Sequence, residues 1–291
     1  MKKTLIIAVA AALAVAAALA VAAALGSATA AYGFCSRPLK GSGRLVTRTV
    51  PLSAFDEITA SRAVKVVLAE GISDRLTIEA DDNLIDHVVA KVAHGELQLG
   101  IDPKINSVSN IHVTITVPTD GRIKSLAAHS SAEIRSRDLT LTGPKTQLEA
   151  TSAARIAVSA AADVCKAHAS SAATIDVAVR STRFDAKASS AANIKASLTA
   201  DECGAEASSA AKIELAGEVR TCEATINSAA NLHAEKLAAA IWDIHASSGS
   251  DARIHCTAAL EAHASSGASI VYSGDCTADV HASSGGSIKK R

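Results

Sequence analysis

The sequence predicts an all-β chain: a right-handed parallel β-helix of about 19 residues per coil, preceded by a less regular, strand-rich N-terminal cap containing one short helix. Three observations carry this. The first is repetition. His168-Ala-Ser-Ser-Ala-Ala-Thr-Ile175 returns as Lys187-Ala-Ser-Ser-Ala-Ala-Asn-Ile194, Glu206-Ala-Ser-Ser-Ala-Ala-Lys-Ile213, Thr225-Ile-Asn-Ser-Ala-Ala-Asn-Leu232, His263-Ala-Ser-Ser-Gly-Ala-Ser-Ile270 and His281-Ala-Ser-Ser-Gly-Gly-Ser-Ile288. Between Ile156 and Leu232 the aliphatic position recurs every 19 residues. A period of this size marks a stacked array in which each unit buries its apolar side only against its neighbours.

The second observation is alternation. Six, four and two residues before the second Ser stand Cys165, Ala167 and Ala169, then Phe184, Ala186 and Ala188, and later Trp242, Ile244 and Ala246. The intervening positions are polar, as in Lys166 and His168, Asp185 and Lys187, or Asp243 and His245. A period of two is that of a strand with one buried face, whereas a helical solenoid needs apolar residues three and four apart. The third is composition. Hydrophobic residues make up 48% of the 291 but aromatics only 2%, so alanine supplies much of the core, which must be thin. Nineteen residues at about 3.3 Å each allow a circuit of roughly 60 Å, enough for a narrow three-sided coil. Parallel crossovers favour the right hand.

Taken in order, residues 1–30 read as an export segment. Lys2 and Lys3 precede an uninterrupted apolar run from Leu5 to Leu25, and Ala28-Thr-Ala30 supplies the small residues of a cleavage site. The alternative is an uncleaved N-terminal anchor, since 21 apolar residues can span a bilayer. Residues 31–44 form a polar linker with Gly41-Ser-Gly43. Residues 45–126 are expected to hold the cap and first coils. Strands are expected at Val64–Leu68, Leu76–Ile78, Leu97–Ile101 and Ile111–Val117, and a helix at Asp81–Lys91, where capping residues precede aliphatics at helical spacing. A non-repetitive start protects the first rung from pairing with other chains. Residues 127–291 carry the repeat, continuous with the cap. Shorter copies end at Ile134 and Ile156, and a looser one, with two extra residues, runs from His245 to Ile254.

Six cysteines in an exported chain invite a disulfide reading. Cys165, Cys203 and Cys222 occupy the core column that Phe184, Trp242 and Leu260 fill elsewhere, so they also read as small hydrophobes. Cys203 with Cys222, and Cys256 with Cys276, fall on successive coils and are the candidate disulfide pairs. None of the spacings is a CxxC.

Ser265-Ser-Gly-Ala-Ser-Ile270 followed by Val271-Tyr-Ser-Gly274, and Ser283-Ser-Gly-Gly-Ser-Ile288, resemble the closing elements of the bacterial head GIN domain family, described as auto-transporter adhesins. Phe55-Asp-Glu-Ile58, the strand at Val64, the run from Asp82 to His87 and Gly95-Glu-Leu97 resemble its opening, so the likeness covers nearly all of the chain after Leu45. This chain places Ser where the family often has the first Gly of the turn. The resemblance implies a β-helical exported protein with no assigned catalytic residues.

The formal net charge of zero gives no reason to expect nucleic acid as a partner, and a membrane is expected only through an uncleaved N-terminal segment. A self-exporting autotransporter needs a C-terminal membrane barrel with aromatic girdles, and this chain follows its last repeat with Lys289-Lys-Arg291. The expected location is therefore the periplasm, the cell surface or the medium. Candidate chemistry lies on the outward columns, where Asp243 and His245, Glu261 and His263, and Asp279 and His281 recur on three coils. Such a patch suits a divalent ion as the one candidate cofactor, or it is the solvated face of a repeat duplicated three times. The expected function is a non-catalytic envelope module, adhesin-like, with a glycan or protein partner. The alternatives are a polysaccharide-active β-helix enzyme and a divalent-metal-binding protein built on the histidine patch.

Overall fold

A computed structural model describes residues 38–291, which form one unit beginning at Pro38. The expected export segment and Cys35 lie outside the described residues. The chain winds into a β-solenoid of about 9 turns, with coils about 19 residues apart.

The strands in chain order are β1 (Leu39–Lys40), β2 (Leu45–Pro51), β3 (Glu57–Ala60), β4 (Lys65–Glu70), β5 (Arg75–Asp81), β6 (Val88–Ala93), β7 (Glu96–Ile101), β8 (Val108–Ser109), β9 (Val113–Thr119) and β10 (Ser125–Ala128). The long coil strands follow: β11 (Glu133–Ala150), β12 (Arg155–Ala169), β13 (Thr174–Ala188), β14 (Asn193–Ala207), β15 (Lys212–Ile226), β16 (Asn231–Ala246) and β17 (Asp251–Ala264). β18 (Ser269–Ser273) and β19 (Thr277–Ala282) make the next coil, and β20 (Ser287–Lys290) begins one more above it.

From β11 onward every neighbour is parallel, and the register follows the sequence period. Ile156 lies beside Ile175, Ile175 beside Ile194, Ile194 beside Ile213 and Ile213 beside Leu232. The columns of Cys165, Phe184, Cys203, Cys222 and Trp242, and of the alternating alanines, are buried. Bulk lost in one column is restored in another: Ala252 follows in the isoleucine column where Ile226 and Ile244 have replaced alanines. One reading needs correction. The aliphatic position after Leu232 is taken by Ala252, not Ile254, which sits two residues further along the same buried side. That coil therefore gains one residue over the 19-residue period, absorbed by a bulge in the β15–β16 ladder between Glu214 and Ala216, and bulges in the β16–β17 ladder accompany the shorter coil that follows.

The coil closes at Ser-Ser-Ala-Ala. Its second and third residues are both left-handed, as in Ser171 at φ 52° and Ala172 at φ 62°. A left-handed pair inverts the direction of the intervening amides. The Ala172 N–H therefore donates forward to Ser190 O of the next coil (3.0 Å), while Ser170 N–H donates back to Ala150 O (3.0 Å) and Ala173 N–H closes the turn on Ser170 O (3.2 Å). The same set recurs in each later turn up to the one at Gly267, and the final turn at Ser283–Gly286 keeps the other two bonds, so the turns form their own ladder. The following alanine, such as Ala173 or Ala192, is fully buried, and in these repeat coils, unlike the cap, where Val64 fills the equivalent place, a branched side chain would overpack it. In the last copies Gly249, Gly267 and Gly285 stand at the second left-handed position, with φ of 69°, 75° and 79°.

The cap departs from its sequence reading in two respects. The helix expected over Asp81–Lys91 is a single 3-10 turn at Ile85–His87, after which the β-branched Val88, Val89 and Val92 run as β6. That strand returns antiparallel along β7 through a two-residue loop, His94-Gly95, with φ of 53° and 84°. Stacking order also differs from chain order. β7 and β9 form the outermost parallel rung, β3 and β4 the next, and β10 and β11 the third, with Leu97, Ile58, Leu126 and Leu148 in one column and Ile115, Val66, Ile134 and Ile156 in another. The chain lays its second coil, returns to lay the first, and then crosses to the third. Antiparallel strands β5 and β2 extend the sheet beyond β9. A cryptic turn copy, Ser61-Arg-Ala-Val64, has Arg62 and Ala63 left-handed at 61° and 60°, and Ala63 N–H bonds Ser130 O of the next stacked coil at 3.0 Å.

From Leu39 the expected linker is docked. β1 pairs with β8, Gly43 N–H donates to Asp81 Oδ1 (2.7 Å), and His112 N–H donates to Asp81 Oδ2 (2.8 Å). Gly41 is required there because a Cβ would collide with Asn110 O and the Asp81 carboxylate. Asp81 is fully buried. Burial raises its pKa, but the amides of His112 and Gly43 outweigh this and hold it below its ordinary 3.8.

Two predictions follow from these contacts. Ala172→Gly and Ala191→Gly place glycine at positions already left-handed, and each is expected to stabilise the chain by about 0.5–1 kcal/mol, read as a higher urea midpoint. Asp81→Asn leaves one of two buried N–H groups without an acceptor and is expected to cost about 1–3 kcal/mol. Because the folded pKa is depressed, this contribution is full above about pH 5 and is lost as pH falls through the folded pKa. A stability difference between parent and variant that grows below pH 4 would contradict the assignment.

Candidate functional site

The outward face of β11 to β17 and β19 carries the polar columns. In one column stand Glu149, His168, Lys187, Glu206, Thr225, His245, His263 and His281, each directly beside the next. Two residues earlier run Gln147, Lys166, Asp185, Gly204, Glu223, Asp243, Glu261 and Asp279. Because the register is exact in both columns, like sequence positions become spatial neighbours.

Over the middle coils these columns, with a third two residues earlier that holds Arg183 and Glu202, form charge pairs. Arg183 Nε lies 2.9 Å from Asp185 Oδ1, and Arg183 Nη1 lies 3.1 Å from Glu202 Oε2. A cross-rung pair joins the same two coils, with Lys187 Nζ 2.7 Å from Glu206 Oε2. Both partners are more than 60% exposed, so the pair is worth a few tenths of a kcal/mol. A side chain at Gly204 would press on the Asp185 carboxylate, and its absence leaves a shallow, solvent-open depression between Lys166, Arg183 and Glu223.

Toward the C-terminus the structure brings together all six residues proposed from the sequence. Nε2 of His245, His263 and His281 lies 3.3, 3.2 and 3.1 Å from Asp243, Glu261 and Asp279 respectively. The three imidazoles stack: His245 and His263 have centroids 4.7 Å apart and planes inclined by 2°, and His263 and His281 are at 4.9 Å and 15°. Ser265 and Ser283 flank the stack in a shallow depression. Among the described residues no group of three or more His, Cys, Asp or Glu converges on one point as a ready-made metal site. The reason is geometric, since parallel rings on successive rungs project their nitrogens side by side rather than inward.

All five described cysteines are free thiols. Cys203 and Cys222 stand directly opposite one another on β14 and β15. Cys256 and Cys276 are not opposite: the shorter final coils put Ala259 beside Thr277, so Cys276 falls level with Ala258, and the Cys256 thiol donates to Ala259 O at 3.1 Å. Burial pushes Cys165 up to about 12 and Cys256 up to about 11. Buried Cys222 is also raised, by desolvation first and by its Cys203 partner second. These are core thiols, poor nucleophiles by desolvation.

The sequence reading passed over Asp81, which it took for a helix-capping residue, and Arg62, whose guanidinium bonds Asp102 O (3.3 Å) and Ile105 O. Both fasten cap loops. The signal for Arg62 was its place in the cryptic Ser61-Arg-Ala-Val64 turn.

The family model described as "Putative auto-transporter adhesin, head GIN domain" matches residues 54–276. The chain belongs to this family. Solved structures share the head GIN fold. A "Putative lipid binding protein" from Parabacteroides distasonis ATCC 8503 superposes with a TM-score of 0.66 at 18% identity, over 88% of this chain and 100% of that one. A "putative adhesin" from Parabacteroides merdae ATCC 43184 gives 0.65 at 19%, over 87% and 98%. A "putative adhesin" from Parabacteroides distasonis ATCC 8503 gives 0.66 at 17%, over 87% and 99%. At these identities the likeness establishes the fold alone. Comparison with proteins of curated function finds no match.

The burial of the core thiols predicts slow chemistry. Brief alkylation of the native protein at pH 8, mapped by peptide mass, is expected to modify half-exposed Cys276 well before Cys165, Cys203, Cys222 or Cys256. Equal labelling of Cys165 and Cys276 would contradict this packing.

Proposed function

We propose that this head GIN protein is a non-catalytic, adhesin-like module of the bacterial envelope, exported by its N-terminal segment and meeting a protein or glycan partner through the charged outward face. The observation that carries the reading is the regularity of the solenoid. From Ile156 to Ile270 each coil returns to register after 18 to 20 residues, so no insertion rises beside the face to wall a groove. A polysaccharide-active β-helix holds its substrate between such walls, where carboxylates act on a buried bond. Here Asp243, Glu261 and Asp279 lie on an open face. Membership of an adhesin-described family supports the same choice.

The aromatic side chains favour a protein over a sugar. Among the described residues Phe184 and Trp242 are buried, and Phe55 and Tyr272 pack against the core. The described surface therefore offers no broad aromatic platform of the kind on which sugar rings stack, and its recognition chemistry is charge and hydrogen bonding.

Two measurements on the full chain test the proposal. Fractionated cells are expected to yield a mature form lacking residues 1–30 outside the cytoplasm; an intact chain confined to the cytoplasm would refute export. Incubation with uronate-containing polymers is expected to leave their length unchanged by size-exclusion chromatography, and clear shortening would overturn the non-catalytic assignment.

A further inference from the structure

Among the described residues, the three histidine–carboxylate dyads form the one outward cluster in which the same two ligand types repeat on consecutive rungs. Each carboxylate lies against Nε2 at 3.1 to 3.3 Å. In a neutral imidazole that contact draws the proton to Nε2 and leaves Nδ1 as the lone-pair nitrogen, the arrangement by which carboxylates orient metal-ligating histidines. The near-parallel rings repeat this on three rungs, and the column of three carboxylates beside them attracts cations.

From this geometry we propose that the ladder captures a single borderline divalent transition ion of the Zn²⁺, Ni²⁺ or Cu²⁺ class between the Nδ1 atoms of two adjacent imidazoles, with water completing the coordination. Imidazole nitrogen suits these ions, and Mg²⁺ and Ca²⁺ prefer oxygen ligands. Zinc–nitrogen bonds of about 2.1 Å in tetrahedral geometry place two nitrogens roughly 3.4 Å apart. The ring centroids stand 4.7 and 4.9 Å apart and the rings are near parallel, so a pair must both approach by side-chain rotation and tilt out of parallel for its two Nδ1 lone pairs to converge on one ion. The side chains are free to do so, being 53%, 36% and 61% exposed at His245, His263 and His281.

Ladder geometry gives His263 a distinct role. It is a member of both adjacent pairs, whereas His245 and His281 are two rungs apart, roughly 9.6 Å, and cannot share an ion. One ion therefore binds per chain, in either of two equivalent pairs.

Calorimetric titration of the full chain with ZnCl₂ at pH 7.5 tests this, using the unchanged emission of buried Trp242 to verify folding of each variant. The expected results are one ion per parent chain, at least tenfold weaker binding in His263→Ala, and only about twofold weaker binding in His245→Ala or His281→Ala, because each of these keeps one pair. MgCl₂ is expected to give no comparable binding. Absent zinc binding in the parent would overturn the proposal. So would equal losses in the three variants or comparable magnesium binding, either of which would mark the patch as acidic surface alone. Zinc binding unchanged in His263→Ala would assign the ion to the cysteines or to carboxylates elsewhere, with the same result.

Discussion

The architecture depends on a turn in which two consecutive residues take the left-handed conformation. Such a pair reverses the amide direction for one step, so that the turn's middle N–H points to the next coil while its neighbours point to the previous one. Every coil is thereby bonded to both neighbours at its tightest point. L-residues accept this conformation at a cost of about 1–2 kcal/mol each. The cost is borne by Ser and Ala in the middle coils and lowered by Gly249, Gly267 and Gly285 toward the C-terminus. The buried residue that follows must be no larger than its column allows, which is why alanine dominates there and Ser250 is tolerated only by bonding Ile226 O.

This constraint propagates into the core and the ends. With a closed turn of fixed length, differences in coil length fall in the strands, and bulges on both sides of β16 take them up around Trp242, whose indole N–H finds His255 O at 2.9 Å. A parallel stack exposes an unpaired strand edge, and at the N-terminal end this chain extends the sheet with antiparallel β2 and β5. Asp81 fastens the entering segment to that cap through two buried amide bonds.

The same register governs the surface. Residues one coil apart in sequence become neighbours, so a column repeats whatever the sequence repeats. Where the repeat diverged, the face became a mosaic of charge pairs such as Lys187 with Glu206. Where it stayed uniform, it became the stacked histidine ladder. The functional potential of this face therefore comes from uniformity in the outward columns rather than from a pocket.

The coil strands, their buried columns, the inward place of Trp242 and the clustering of the six His and acidic residues were all legible from the sequence. In a one-dimensional stack, local alternation and a constant period are sufficient to define three-dimensional neighbours. Where the period slips by one or two residues, the sequence misleads: Ile254 resembles the motif's aliphatic residue, but Ala252 holds its place, and Cys276 lies level with Ala258 rather than Cys256. The parallel stacking of the rings, the free state of the thiols, the burial of Asp81 and the inverted order of the first two coils came only from the tertiary structure. Non-repetitive strands choose partners by long-range backbone pairing and shared burial, and neither leaves a mark on the local pattern of residues.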